Sequence, residues 1–153
     1  MLAGVILFKV PFSNPQTDGE RVVNLIPLMG SFTDSGVLRL GEILGNVLVF
    51  VPLGIYLSML KDDWPVANQI LTIIGTTVTF EVAQFVFAIG RSDVTDVLSN
   101  TLGGAIGLGT YALLANLLKH RTNRVINVAA LILTLCAVLL FAFLSTRTRT
   151  LYR

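Results

Sequence analysis

Four uninterrupted apolar runs constrain this chain more than any other feature. They lie at roughly 43–60, 69–90, 97–118 and 125–145. A bilayer's hydrocarbon core is about 30 Å thick and takes about 20 helical residues to cross, so each run is of spanning length. Hydrocarbon offers no hydrogen-bond partners, so the backbone of each run has to satisfy itself, which an α-helix does. The links Lys61–Ala67, Arg91–Asp96 and Lys119–Arg124 are short, which makes neighbouring spans antiparallel. Pro65 suits the opening of the second helix, where its missing N–H is no loss. The expected fold class is all-α: a polytopic membrane bundle of four full transmembrane helices plus a partial N-terminal one. It forms a single domain over residues 1–153.

Charge supports this reading and removes others. Only 13% of residues are charged and the mean hydropathy is +0.78, against about 25% charged in soluble domains. So few polar residues do not cover a water-facing surface. A net charge of +2 is too small to imply nucleic acid as a partner. Membrane lipids are the expected partner instead. Cys136 is the one cysteine and His120 the one histidine. There is thus no disulfide framework, thiolate metal site or histidine-based triad, and no metal or cofactor is expected.

The ends are less regular. Met1–Phe8 is apolar, but Lys9 and Pro11 stop it at about 12 Å of helical rise, too short to cross. It reads as the end of a longer first helix, with an interfacial position as the alternative. Ser13–Arg39 is a polar surface loop in which Val22–Met29 is apolar enough to dip back toward the membrane. The basic tail 146–153 carries Arg147, Arg149 and Arg153 and is expected to fray. Basic residues on the two sides nearly balance. Their density in the short links favours 61–67 and 119–124 as cytoplasmic.

The informative residues are polar ones where lipid should be. Glu81 lies near the middle of the second long run, with Gln84 on the same helical face one turn on. An ionised carboxylate at such depth costs about 2.5–3.5 kcal/mol on the lenient insertion scale, so Glu81 should be protonated or paired inside the bundle. Asp93, Asp96 and Asn100 stack along one stripe at i, i+3 and i+7. For the two aspartates, capping and helix-dipole complementation is an equal alternative to a functional role. Asn100, a turn inside the apolar run, is harder to explain that way. Glu42 and Asn46 open the first long run, on the same side as Arg91, Asp93 and Asp96, because the spans alternate. Arg39, Arg21 and Asn24 join them there. The opposite face shows only ordinary loop charges. Catalytic residues are not evident, so this convergence reads as a binding cluster.

Small residues mark packing. Ser99, Gly103 and Gly107 recur at four-residue spacing with Gly104 alongside, a spacing that lets another helix approach closely. Packing within the bundle is the default, and a homo-oligomer through the same stripe the alternative. Pro52 and Gly54 mark a kink in the first long helix.

Taken in order, these pieces form a pattern: NLIPL at Asn24–Leu28, NVLVFVPLG at Asn46–Gly54, ExxQ at Glu81–Gln84 and RSDVTDVLSNTLGG at Arg91–Gly104. The set resembles the VanZ-like family of bacterial membrane proteins, with the motifs falling within residues 21–109 and the helix at 125–145 lying beyond them. The family is named for a protein associated with resistance to teicoplanin, a glycopeptide antibiotic with a lipid tail. The resemblance implies a multi-pass protein of the bacterial cytoplasmic membrane. By motif match it points to Asn24, Pro27, Glu42, Asn46, Pro52, Gly54, Glu81, Gln84, Arg91, Asp93, Asp96, Asn100 and Gly104.

Four functions compete. In the first, a non-enzymatic envelope protein binds the headgroup of a lipid-linked cell-wall precursor or a lipoglycopeptide, with Arg91 or Arg39 on phosphate. In the second, an intramembrane enzyme uses Glu81 as acid or base, with Asp93, Asp96 and Asn100 holding a hard cation such as Mg²⁺. No nucleophile–base pair accompanies them. The third is a small transporter, though the chain lacks an inverted repeat. The fourth is purely structural, with the polar residues as interhelical glue worth about 0.6 kcal/mol per bond. The resemblance favours the first, and the one-sided clustering counts against the fourth.

Overall fold

The computed structural model describes residues 23–29, 32, 39–87 and 92–151. In chain order these hold a two-residue strand β1 (Val23–Asn24), α1 (Leu40–Leu60), α2 (Val66–Phe87), a short strand β2 (Ser92–Asp93), α3 (Val94–Leu118), a 3-10 turn (Lys119–Arg121) and α4 (Thr122–Leu151). The partial helix expected at Met1–Phe8, most of the loop 13–39, and Arg21 and Arg91 lie outside the described residues.

Each helix starts three residues before its apolar run: at 40, 66, 94 and 122 rather than 43, 69, 97 and 125. The added first turns hold polar residues such as Glu42, Asn68, Asp96 and Asn123, which an apolar-run reading leaves out. First-turn N–H groups have no intrahelical acceptor, so polar side chains are at home there. An acidic residue in the first turn, as in α1 and α3, also meets the positive end of the helix dipole.

Two further expectations change. The backbone stays helical to Leu151 where the tail was expected to fray; arginine is a good helix former and a cation suits a helix C-terminus. The link at Lys119–Arg124 is shorter than a loop. It is one 3-10 turn at Lys119–Arg121, where Lys119 leaves the right-handed helical region at φ 49°, so α4 begins directly after the break that ends α3. Three helical runs among the described residues are long and apolar enough to cross a membrane: Leu40–Leu60, Val66–Phe87 and Val94–Phe143.

The chain divides into two compact units, Met1–Ala112 and Leu113–Arg153. In the first, α1 and α3 meet backbone to backbone. A Cβ on Gly54 would collide with the Gly104 carbonyl, one on Gly103 with the Val47 carbonyl, and one on Gly107 with the Val51 carbonyl. Gly104 lies against the Ile73 side chain of α2, so the small-residue stripe is filled from within the chain. Pro52 sits within α1, exposed, and the helix runs on through it. Phe50, Ile73 and Leu108 form the apolar core, and Phe80 meets Phe50 edge-on at 87°.

This unit is built inside out. Its buried side chains are mostly polar: Ser58, Gln69, Thr77, Glu81, Gln84, Ser92, Thr95, Asp96, Ser99 and Asn100. Its large apolar side chains face outward, with Leu48, Leu71 and Leu102 exposed by 68, 64 and 56%. Each such side chain held in water forgoes about 1.5–3 kcal/mol of burial, so an apolar surrounding is the medium this surface fits. In the second unit, Thr122 closes the 3-10 turn by donating to the Lys119 carbonyl at 2.8 Å, next to Lys119 at φ 49°. Every side chain of α4 from Leu131 to Phe143 is exposed, the same outward apolar character.

Candidate functional site

The polar residues of the first unit assemble where α1 begins, α2 ends and α3 begins. Asp93 is the hub. Its Oδ1 accepts the Thr95 N–H at 2.8 Å, which makes it the N-cap of α3. Its Oδ2 accepts the Asn24 amide at 3.0 Å, and its own N–H donates to Glu81 Oε2 at 3.0 Å. Beside it, the Ser92 hydroxyl donates to the backbone carbonyl of Glu81 at 2.8 Å. Val23 and Asn24 pair in parallel with Ser92 and Asp93. Glu81 thus holds the entry to α3 against the flank of α2. A buried N–H stripped of its acceptor would cost about 1–3 kcal/mol.

A second tie joins α1 to α3. Asn46 donates its amide to Asp96 Oδ1 at 2.6 Å, with Asp96 buried and Asn46 half-buried. One turn deeper, the Asn100 amide donates to the Thr77 hydroxyl at 2.7 Å, joining α3 to α2. Asn100 Oδ1 is buried and has no hydrogen-bond donor among the described residues. Gln84 is buried on the same face of α2 as Glu81. At the lip, Arg39 pairs with Glu42 at 3.5 Å, both half-exposed.

These ties set a depth. Six residues of α2, 82–87, follow Glu81, and six residues of α1, 40–45, precede Asn46. At about 1.5 Å per residue, α2 overhangs the start of α3 by about 9 Å, and α1, tied two residues further in at Asp96, by about 6 Å. The cluster therefore lies inboard of the beginning of α1 and the end of α2. Asn24, Glu81 and Asp93 are joined directly, as are Asn46 and Asp96. Asn100 lies one turn further along α3. Glu42 lies in the first turn of α1.

Sequence reasoning missed several partners. Thr77, Ser92 and Thr95 are buried participants, and Ser99, expected as a packing residue, is buried beside them with its hydroxyl donating to the Asp96 carbonyl. The opposite end of the bundle also holds more than loop charges. Gln69, buried at the start of α2, accepts from the Ser58 hydroxyl at 2.8 Å and donates to the carbonyls of Lys61 and Trp64 at 3.2 and 3.0 Å. Beside it is a cleft of about 480 Å³ whose lining includes Ser58, Trp64, Gln69 and Tyr111. Lys61 sits 5.1 Å from the Trp64 ring centre, a cation–π contact.

A helical unit with an outward apolar surface, membrane-length helices and a buried polar cluster points to a membrane protein. Comparison with known families makes this particular. The VanZ/LLP1 family model matches residues 1–115, and the chain belongs to that family. The match takes in every residue of the polar cluster. Protein VanZ of Enterococcus faecium is 35% identical over 114 residues, which cover 73% of this chain and 67% of that protein. No solved structure matches.

Proposed function

We propose that this chain is a multi-pass protein of the bacterial cytoplasmic membrane that acts at the cell envelope and lowers susceptibility to lipoglycopeptides such as teicoplanin. The run Val94–Phe143 spans 50 residues, about 75 Å as a straight helix, against a hydrocarbon core of about 30 Å. The run therefore crosses twice, turning at Lys119–Arg121, which makes four crossings with α1 and α2.

One observation carries the functional reading: the polar residues of an otherwise lipid-facing bundle collect at one end, inboard of the ends of α1 and α2. We read that end as a recess bounded by apolar helix flanks, which suits an amphiphile. Its headgroup would meet the polar floor and its tail would lie along the helices. A lipid-linked cell-wall precursor or the lipoglycopeptide itself has this build. Both oxygens of Asp93 serve internal donors, which supports a positioning role over the holding of a hard cation.

The test is teicoplanin susceptibility of a Gram-positive host expressing the protein, beside Glu81→Ala at matched membrane levels. Protection by the wild type that is lost in Glu81→Ala is the expected outcome. Equal protection by both would remove the recess from the function, and no protection by the wild type would remove the antibiotic role.

A further inference from the structure

We propose that the turn Val23–Met29 is a re-entrant lipid contact, inserted among the acyl chains beside the polar recess rather than lying over it in water. Three observations converge. The first is surface chemistry. Val23, Leu25, Ile26, Leu28 and Met29 are all exposed, Leu25 by 76%. The only polar side chain in the turn is Asn24, and it is engaged at both ends, donating to Asp93 and accepting the Ile26 N–H at 3.1 Å.

The second is the backbone. A loop in water can leave its N–H groups to solvent, whereas one in hydrocarbon has to satisfy them within the protein. From Ile26 to Met29 no N–H is left for solvent. Ile26 donates to Asn24 Oδ1, Pro27 has no N–H, Leu28 donates to Thr95 Oγ1 at 2.8 Å and Met29 donates to the Ile26 carbonyl at 3.2 Å. Leu28 holds φ at 66°, a conformation that a side chain of its kind adopts only under constraint. The Thr95 hydroxyl supplies that constraint.

The third is depth. β1 pairs with β2 at the level of Glu81, about 9 Å inboard of the end of α2 by helical rise. The overhanging turns of α2 are still apolar outward, with Val82, Phe85, Val86 and Phe87 exposed. A strand pair lying inboard of those side chains sits at the depth of hydrocarbon. Acyl chains are therefore the occupant that surface, backbone and depth fit together. A soluble protein partner fits only the first of the three.

The test uses the full chain in phosphatidylcholine–phosphatidylglycerol vesicles. Cys136→Ala removes the native thiol, Leu25→Cys takes an environment-sensitive fluorophore, and Asp63→Cys in the Lys61–Pro65 turn is the aqueous control. The Leu25 site should emit blue-shifted light, be quenched by lipids with a nitroxide near the headgroup, and resist aqueous iodide. The Asp63 site should do the reverse. Iodide quenching at Leu25 equal to that at Asp63 would overturn the proposal. Thr95→Val, which removes the acceptor for Leu28, should raise iodide access at Leu25 several-fold, and Thr95→Ser should restore protection. Unchanged access in Thr95→Val would overturn the role given to that hydrogen bond.

Discussion

The two ends of the α1–α3 unit are both tied by buried hydrogen bonds, but the ties differ in reach. At the Lys61–Pro65 end, Gln69 bonds to Ser58, Lys61 and Trp64, partners 11, 8 and 5 residues away. This is one helical hairpin closing on itself. At the recessed end, Asn24 reaches Asp93, Leu28 reaches Thr95 and Asn46 reaches Asp96 over 69, 67 and 50 residues. Local ties need only a turn to form first. Distant ties exist only when all three helices and the turn before them are assembled, so that end reports on the whole unit. It also carries Glu81, Asp93 and Asp96, carboxylates that each bond to a partner on another element. The difference teaches that one end is a clamp and the other a built site.

The largest expected effect breaks both ends at once. Gly103→Val should destabilise the unit by about 3 kcal/mol or more, because its Cβ would strike the Val47 carbonyl. Loss of a cooperative thermal transition in detergent is the readout. Gly109→Ala, with nothing near its Cβ, should hold or gain about 0.5–1 kcal/mol. Normal folding of Gly103→Val would contradict the α1–α3 contact.

Separating the ends is the next step. Gln69→Leu strands the Ser58 hydroxyl and two carbonyls and should cost about 1–3 kcal/mol, while each folded molecule remains active. Glu81→Gln keeps an oxygen to accept the Asp93 N–H but removes the carboxylate, so stability should change little while protection falls if that carboxylate takes part in holding the headgroup. Thermal unfolding beside susceptibility assays resolves the two. Equal activity losses in both would erase the distinction between clamp and site.

Smaller effects sharpen the depth of the site. Thr77→Val removes the hydroxyl that receives the Asn100 amide and should cost about 1–2 kcal/mol. Thr79→Val, at an exposed position bonded to the Gly75 carbonyl, should stay within about 0.5 kcal/mol. Smallest of all, Arg39→Gln at the rim should cost about 0.2–0.5 kcal/mol, less in high salt, as expected of a half-exposed i,i+3 pair.

The contrast between Thr77 and Thr79 also shows where sequence reading stops. Asn46, Glu81 and Asn100 stand out because amides and carboxylates are costly among apolar neighbours. Threonine does not stand out, because its hydroxyl can be satisfied by its own helix. Thr72, Thr76, Thr79, Thr101, Thr110 and Thr134 all donate to the carbonyl four residues back. Nothing in sequence distinguishes Thr77, which serves Asn100, from those. Gln69 does not stand out either, because it falls where an apolar run begins. The pairing of Val23–Asn24 with Ser92–Asp93 joins segments too short to have a period and too distant to share a turn signal. The helices themselves were legible to within a turn at their starts, since twenty apolar residues leave the backbone few alternatives.

The most direct test of the claim that function lives in the recess compares teicoplanin susceptibility of wild type, Glu81→Gln and Gln69→Leu in one Gram-positive host, at matched folded protein in the membrane. The account predicts that Gln69→Leu protects as the wild type does and that Glu81→Gln loses protection. Protection retained in Glu81→Gln and lost in Gln69→Leu would place the working site at the opposite end and contradict it.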